Sequence, residues 1–403
     1  MTVAIVAEYN PFHTGHKHQI DEIRRTFGEN TEIIAIMSGN YTQRGEIAIA
    51  DKFKRAEWAC LSGVDLVLEL PFPYSMSSAE LFASAAVGII SSLSIVDYIS
   101  FGSESGDLSE LTKTAENMLT PAFSESFEQV SNDEKNQNLG YPAICELAYR
   151  RAFSEDIPED YFKPNNILAL EYIKAIKKQN AKLLLHTVKR AGAGYSELNV
   201  NLSYASAMGI RESLKTDSKE YISFIPEACR DSFLSALQNK EFPSSEDKLS
   251  SAILSFFRLN SATSDTEIFD AGGGLYNRIK KAGFDADSVS SLIAKSTTKK
   301  FTNSRIRRSV YYSFFGVTSS SVKELPEFTQ VLAFNEKGRA LLKSIKKRSG
   351  YSVLTKPTAA DGLSERAKMQ KKLSDKADSV YQLTLPVFRR GAYDLLAKPY
   401  FKR

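Results

Sequence analysis

An apolar run at the start of the chain stops abruptly in a polar turn, and this junction constrains the fold more than any other feature. Residues 3–7 are small or β-branched and predict a buried strand, which the Asn10-Pro11 pair ends. A helix is expected to begin near Gly15. Because the free N–H groups of a helix's first turn attract anions, the junction predicts a phosphate-binding turn.

Two histidines flank the glycine of this turn. His13 and His16 can each donate a hydrogen bond to phosphoryl oxygens and offset the charge that grows when an α-phosphate is attacked. His18, two residues further on, is expected to point elsewhere. Ordinary turn and helix-start roles are the alternative. However, three of the four histidines of the chain fall within residues 13–18, which favours a functional site.

The cysteines argue against a metal site. Cys60, Cys145 and Cys229 are scattered singly, without the paired spacing of structural zinc ligands. Their small number also favours a reducing, cytoplasmic location. No apolar run approaches the roughly 18 to 20 residues that cross a bilayer, and no leader segment is expected, because Met1 continues directly into strand sequence.

The net charge of +4 conceals an uneven distribution along the chain. Residues 271–403 hold 27 lysines and arginines against 10 aspartates and glutamates, a balance of +17, which leaves −13 for residues 1–270. A basic part joined to an acidic one is expected where one part binds a polyanion. The alternative is a solvated, lysine-rich helical surface.

Within the basic part, one segment has the composition of an RNA-binding surface. In residues 299–312, cations are interleaved with aromatic and hydroxyl side chains, which suit phosphates and unstacked bases. The candidate RNA-binding residues are Lys299, Lys300, Arg305, Arg307 and Arg308.

Further strand and helix signals in the N-terminal part alternate. Strands are predicted at residues 32–37, 65–70 and 96–101, with helices at 51–61 and 77–91. This alternation predicts an α/β fold with a parallel sheet. Ligands of such sheets bind beyond the carboxyl ends of the strands, so we expect functional residues there, Gly102 among them.

Three later clusters are candidates for the same ligand. Asn165 and Asn166 open a predicted helix, although capping of that helix explains them equally well. A strand at 181–188 leads into Lys189-Arg190 and the glycine-containing residues 191–194. Ser206 then stands at a predicted helix start, with Arg211 about one turn later. These clusters can converge on one triphosphate.

The motifs together resemble a known family. The sequence His13-Thr14-Gly15-His16 resembles the signature of the HIGH nucleotidyltransferase superfamily. With its neighbours it is similar, over nearly the whole chain, to the bacterial tRNA(Met) cytidine acetate ligases. The segments that carry the likeness are residues 7–16, 37–45, 69–72, 101–104, 165–172, 189–195, 206–211 and 299–308.

The resemblance implies a fold and a reaction. It implies a Rossmann-like nucleotidyltransferase domain followed by a mainly α-helical, basic tRNA-binding domain. Proline and serine collect with charges between residues 233 and 248, so we place the domains at residues 1–235 and 236–403. ATP and acetate would give acetyl-adenylate and pyrophosphate. The acetyl group would pass to N4 of the wobble cytidine of elongator tRNA(Met), and Mg²⁺ is expected with the triphosphate.

The resemblance also implies site residues. His13, His16, Arg190 and Arg211 would be catalytic, and either Asn165 or Asn166 would contact ATP. The implied ATP-binding residues are Ala7, Glu8, Tyr9, Asn10, Pro11, Phe12, His13, Thr14, Gly15, His16, Lys17, His18, Gln19, Ile20, Gly102, Asn165, Arg190 and Ser206.

Two other functions share the first motif. One is a nucleotidylyltransferase that acts on a small phosphorylated metabolite, for which a segment of charge +17 has no evident use. The other is a non-catalytic RNA-binding protein that retains ATP as a regulatory ligand. The presence of both histidines with Arg190 and Arg211 argues against the second.

Overall fold

The computed structural model describes residues 1–136, 139–154, 157–158, 161–190, 206–216, 219–259, 268–356 and 362–403. Within these residues, one sheet of eight strands is present. Its strands are β1 (Thr2–Ala7), β2 (Glu32–Ser38), β3 (Leu66–Leu70), β4 (Tyr98–Ser103), β5 (Leu184–Lys189), β6 (Phe328–Phe334), β7 (Ser352–Leu354) and β8 (Tyr400–Phe401).

Helices surround this sheet and form most of the second half of the chain. In chain order the described helices are α1 (Thr14–Phe27), α2 (Lys52–Leu61), α3 (Ala79–Ser92), α4 (Leu108–Asn117), α5 (Pro121–Asn132), α6 (Tyr141–Phe153), α7 (Pro164–Lys178), α8 (Ala207–Ser213), α9 (Glu227–Gln238), α10 (Ser250–Leu259), α11 (Leu275–Asp285), α12 (Val289–Ser296), α13 (Asn303–Phe315), α14 (Glu336–Arg348), α15 (Glu365–Tyr381) and α16 (Tyr393–Leu396). None of them is both long and apolar enough to cross a membrane.

The strand order is β5-β4-β1-β2-β3-β6-β7, with β8 also paired to β6. The five strands from β1 to β5 run parallel, so the predicted parallel α/β layout is confirmed. The chain moves outward through β1, β2 and β3 and then crosses back to β4. The boundary between β1 and β4 is therefore a topological switch point, where ligands of open α/β sheets bind.

Alternate residues of the central strands enter different cores, as expected for a sheet covered on both faces. On one face, Ala4 and Ile34 pack with α3 and α7. On the other face, Ile5 and Ala35 pack with α1, α2 and α9. A third core contains side chains of the four helices α10, α11, α12 and α13 and of α15. They pack against residues that follow β2 and β3, including Tyr41.

The basic second half of the chain is mainly helical but also extends the sheet. Strand β6 pairs antiparallel with β3, and β7 and β8 each pair in parallel with β6. The side chains of Val331 and Leu332 enter the two cores on opposite faces of the sheet. The predicted division into domains at residues 235 and 236 stays a prediction. Strands from both predicted domains belong to one sheet.

A buried cluster of charges joins the last helices to the strand ends. Lys52 Nζ lies 2.8 Å from Glu69 Oε1 and 2.6 Å from Asp378 Oδ2. The side-chain amide of Asn40 donates to Asp378 Oδ1 at 2.9 Å and to Asp394 Oδ2 at 3.0 Å. All five residues are almost fully buried. Burial raises the pKa of Glu69 to about 7, although Lys52 opposes the shift.

Replacing this cation tests the cluster. Lys52→Met leaves three buried carboxyl groups without their cation, and we expect the free energy of unfolding to fall by about 3–5 kcal/mol at pH 8. The folded-state pKa of Glu69 lies above its ordinary value of 4.5. Protonation of this carboxyl therefore favours the folded protein, and the loss should shrink as the pH falls to 5.

Urea unfolding at pH 8 and at pH 5 measures both effects. Lys54→Met is the matched control, because Lys54 lies on the same helix and pairs with Glu57 at the partly exposed surface. It should lose at most about 1 kcal/mol. A Lys52→Met loss of the same size at both pH values would contradict this account of the cluster.

Candidate functional site

A cleft of about 540 Å³ opens beyond the carboxyl ends of β1, β4 and β5, at the switch point of the sheet. Its walls include Glu8 and Gly102 from the strand ends, the first turn of α1 and the first turn of α7. A volume of this size suits a ligand of about the size of a nucleotide. The fold thus places the candidate turn of α1 where a ligand is expected.

The two motif histidines together cap the N-terminus of α1. His13 Nδ1 accepts a hydrogen bond from the Gly15 N–H at 3.0 Å, and His16 Nδ1 accepts one from the His13 N–H at 3.2 Å. A neutral imidazole that accepts at Nδ1 carries its proton on Nε2. Both histidines line the cleft, so each brings an Nε2–H donor to it.

Neither histidine is charged at neutral pH. Burial, with smaller contributions from Arg190 and Arg211, lowers the pKa of His13 to about 3. Burial also lowers the pKa of His16 well below 6.5, and His13 adds to this shift. The ring centroids lie 3.9 Å apart, a distance at which two imidazolium groups would repel. The pair can therefore supply hydrogen bonds but no charge, and the positive charge of the cleft comes from Lys189 and the lining arginines.

Gly15 is required by the histidine cap. A Cβ atom at this position would lie 2.8 Å from His13 Cε1 and 3.1 Å from His13 Nδ1. The sequence predicts that Gly15 gives a phosphate access to the backbone. The structure adds a second reason, because only glycine leaves room for the His13 ring to fold back onto the turn.

The structure distinguishes between the two candidate asparagines. Capping of α7 by an asparagine, as predicted, is wrong, because the N-cap residue is Lys163 and its side chain makes no capping bond. Instead the Glu104 carboxylate accepts the backbone N–H groups of Asn165 at 3.1 Å and Asn166 at 2.6 Å. Asn166 is buried and accepts from the Glu104 N–H at 2.9 Å. Asn165 lines the cleft, where its Oδ1 accepts from Arg190 Nη1 at 2.9 Å.

The structure brings the other predicted residues to the same cleft. Arg211 donates to the Asn10 carbonyl at 2.9 Å and to Glu46 Oε2 at 2.8 Å. Ser206 caps α8, which carries Arg211, as the sequence predicts. A Cβ atom on Gly102 would lie 3.3 Å from Arg190 Cγ, so this glycine makes room for the arginine. The predicted residues 191–194 lie outside the described residues.

The segment 7–20 contributes to the cleft through only part of its length. Its lining members are Ala7, Glu8, Tyr9, Asn10, His13, Gly15, His16, His18 and Gln19. His18 thus also lines the cleft, and the direction expected for its side chain stays a prediction. Pro11, Phe12, Thr14, Lys17 and Ile20 are not among the lining residues. Phe12 and Ile20 belong to the core, and Lys17 pairs with Asp21.

The predicted RNA-binding arginines are engaged within the protein. Arg305 and Arg308 share Asp270, at 3.0 and 3.1 Å. Arg307 binds Glu246 at 2.7 Å. Their assignment to RNA stays a prediction, and the structure adds that they hold α13 to neighbouring segments.

The N-terminal end of α13 nevertheless reaches the cleft. Thr302, Ser304 and Arg308 line it. Lys299 and Lys300, directly before this helix, are exposed. The basic part of the chain therefore supplies one wall of the cleft and an exposed cationic surface beside it.

Several lining residues were not predicted as site residues. Gln43, Arg44, Tyr141 and Tyr172 line the cleft, and all but Tyr141 lie in segments that carry the family likeness. The position of Gln43 and Arg44 after β2, at the carboxyl edge of the sheet, was an available signal. The two tyrosines lie on helices and carried no comparable signal.

Comparison with known proteins agrees with this geometry. The model of the HIGH nucleotidyl transferase family matches residues 1–393. The chain is 36% identical over 359 residues to the tRNA(Met) cytidine acetate ligase of a Thermoanaerobacter species, covering 88% of each chain. It is 33% identical over 366 residues to the enzyme of that name from Acetivibrio thermocellus, again covering 88% of each.

Solved structures show the same fold. The chain matches the crystal structure of Thermotoga maritima TmcAL without ligand, with a TM-score of 0.91 and 29% identity. It matches the TmcAL structure bound with alpha-thio ATP with a TM-score of 0.88. Each match covers 99% of both chains.

The Gly15 contact leads to a binding prediction. In Gly15→Ala the new methyl group displaces the His13 ring, so we expect the affinity for ATP to fall by about 10- to 100-fold, measured by calorimetric titration. Gly350→Ala is the control, because a Cβ atom there meets nothing within 4 Å. Equal ATP affinity in the two variants would show that the cap geometry does not govern binding.

Proposed function

Because the chain belongs to the tRNA(Met) cytidine acetate ligase family of HIGH nucleotidyltransferases, we propose that it activates acetate with ATP and acetylates tRNA. In the first step, an acetate oxygen bonds to the α-phosphorus and pyrophosphate leaves, which gives acetyl-adenylate. In the second step, the acetyl group passes to N4 of the wobble cytidine of elongator tRNA(Met). The product is N4-acetylcytidine.

One observation carries this proposal. The two Nε2–H donors of His13 and His16 meet Arg190 and Arg211 in a single cleft at the switch point of the sheet. Acetate is a weak nucleophile, and its approach to a polyanion brings like charges together. Catalysis must therefore consist mainly of positioning and of charge stabilisation, which these four residues supply.

We assign the histidines to the α-phosphate. Their Nδ1 atoms are held by the backbone, so the Nε2–H donors are fixed before the ligand arrives. Donors that need no reorganisation stabilise a transition state most effectively. Burial lowers the pKa of both rings, so they are neutral in the free protein. A neutral imidazole costs less free energy to bury than an imidazolium group.

We assign the arginines to the departing pyrophosphate. Arg190 is exposed at the cleft rim and held by Asn165. Arg211 is held by the Asn10 carbonyl and by Glu46. Each guanidinium is thus oriented by a neighbour and keeps further donors for phosphate oxygens. The lining residues of segment 7–20, with Gly102, Asn165 and Ser206, complete the proposed ATP site.

Magnesium is expected as the counter-ion of the triphosphate. Among the described residues, no group of three or more histidine, cysteine, aspartate or glutamate side chains can hold a metal ion. Of the two described carboxylates that line the cleft, Glu8 accepts from the Gln43 N–H, and Glu80 pairs with Lys178 at 2.9 Å. A protein-bound Mg²⁺ does not fit these residues, and no step of the proposed mechanism depends on one.

We further propose that residues 1–235 perform the adenylation and that residues 236–403 bind the tRNA, in the cytoplasm. The charge of the C-terminal part and the contact of α13 with the cleft support this division. Of the five candidate cations, the exposed Lys299 and Lys300 are free of the ion pairs that hold the arginines of α13 to Asp270 and Glu246.

The adenylation step is tested by isotope exchange. Adenylate formation is reversible, so the protein should exchange labelled pyrophosphate into ATP only when acetate is present. His16→Ala should lower this exchange by about 100- to 1,000-fold. His186→Ala, a histidine on β5 outside the cleft, should not. Exchange without acetate would overturn the assignment of a carboxylate substrate.

The RNA surface is tested by the salt dependence of binding. Lys299→Ala combined with Lys300→Ala should weaken tRNA binding and reduce the slope of log affinity against log salt by about 2, while exchange continues. The control is the double change Lys346→Ala and Lys347→Ala on α14, which removes the same charge. An equal effect in both pairs would show that only total charge matters.

A further inference from the structure

Glu8 is a carboxylate in the wall of a cleft that we assign to a polyanion. It is the first residue after β1, and its side chain lines the cleft. Its Oε1 accepts the backbone N–H of Gln43 at 2.9 Å, and its carbonyl accepts from the buried Arg55 at 2.5 Å. The residue is therefore held at both its backbone and its side chain.

A fixed negative charge opposes the binding of a triphosphate. Such a group is disfavoured in an anion site unless the reaction needs a proton acceptor there. The histidines cannot take this role easily, because their Nδ1 atoms accept from the backbone and their Nε2 atoms already carry protons. Acetate is already ionised at neutral pH, so the adenylation step releases no proton. The acyl transfer to an amine does release one.

The surroundings of Glu8 make its carboxylate more basic than usual. Burial and the charge of Glu46 raise its pKa, whereas the Gln43 N–H and two arginines lower it by less. The titratable and charged groups that face it are Arg44 and Glu46 after β2, Arg55 on α2, Tyr172 on α7 and Arg211 on α8. A carboxylate with a raised pKa is a better match to an amine proton.

The position of Glu8 also suits the arrival of the acceptor base. The loop that binds its Oε1 continues to Gly45, where a Cβ atom would lie 2.6 Å from Arg307 Cβ on α13. The same helix lines the cleft through Ser304 and Arg308. Glu8 is thus linked through one short loop to the wall that belongs to the basic part of the chain.

We propose that Glu8 is the general base that accepts the N4 proton during acetyl transfer; this role rests on the proposed function. The amine nitrogen attacks the acetyl carbonyl carbon, and a C–N bond forms. The bond between that carbon and the phosphate oxygen breaks, and AMP leaves with the electron pair. The Glu8 carboxylate takes the proton of the amine and returns it to water.

The test compares the two half-reactions in the full-length protein. Glu8→Gln keeps the acceptor for the Gln43 N–H but cannot take a proton. We expect acetyl transfer to tRNA, measured in single turnovers from preformed acetyl-adenylate, to fall by about 10²- to 10⁴-fold. Acetate-dependent pyrophosphate exchange reports any effect of the change on the ATP site, which Glu8 also lines, and the ratio of transfer to exchange should drop by at least about tenfold.

A second variant gives a readout that a purely structural role does not move. Glu46→Gln removes a negative charge beside Glu8 and leaves Arg211 uncompensated, and both changes lower the pKa of Glu8. The acidic limb of the pH profile of acetyl transfer should therefore shift to lower pH relative to the unmodified protein. In Glu8→Gln this limb should be absent.

Three results would overturn the role of Glu8. They are an equal loss of transfer and exchange in Glu8→Gln, an undiminished transfer rate in that variant, and an acidic limb that Glu46→Gln does not move. The unmodified protein separates this failure from that of the proposed function. If it shows acetate-dependent exchange and transfers acetyl groups to tRNA, the function stands and only the role of Glu8 falls; if either activity is missing, both fall.

Discussion

The cap that His13 and His16 form at the start of α1 is the interaction on which the site depends. Two backbone N–H groups that would otherwise lack partners donate to the two Nδ1 atoms. The same bonds fix both tautomers and present two Nε2–H donors at the switch point of the sheet. In the proposed function, this cap at the start of the helix also serves as a preorganised oxyanion site, provided that Gly15 leaves room for the His13 ring.

The second constraint is the return of the basic part of the chain onto the sheet. Strand β6 pairs with β3, and the buried Lys52 binds Asp378 of α15. Arg307 on α13 also packs against the loop at Gly45, and residues 302–308 form one wall of the cleft. In the proposed function, this geometry lets an RNA bound to the basic surface meet the acetyl-adenylate directly.

Local signals predicted much of the fold and part of the site. The strand, the turn and the helix around His13 follow from periodicity and turn residues, and the parallel sheet follows from their repetition. The site interactions that local signals did not reveal depend on distant partners. Asn166 is held by Glu104, 62 positions away, and Arg307 is held by Glu246, 61 positions away. No local sequence pattern reveals such contacts. The return of β6 to the sheet is equally non-local.

The central claim is that one protein activates acetate and delivers it to a cytidine of tRNA. The most direct measurement incubates the purified protein with ATP, ¹³C-labelled acetate and total tRNA, and then analyses nucleosides and anticodon fragments by mass. The account predicts labelled N4-acetylcytidine at the wobble position of elongator tRNA(Met), and none when ATP is omitted. Unlabelled cytidine in every tRNA, or label in a small metabolite only, would contradict it.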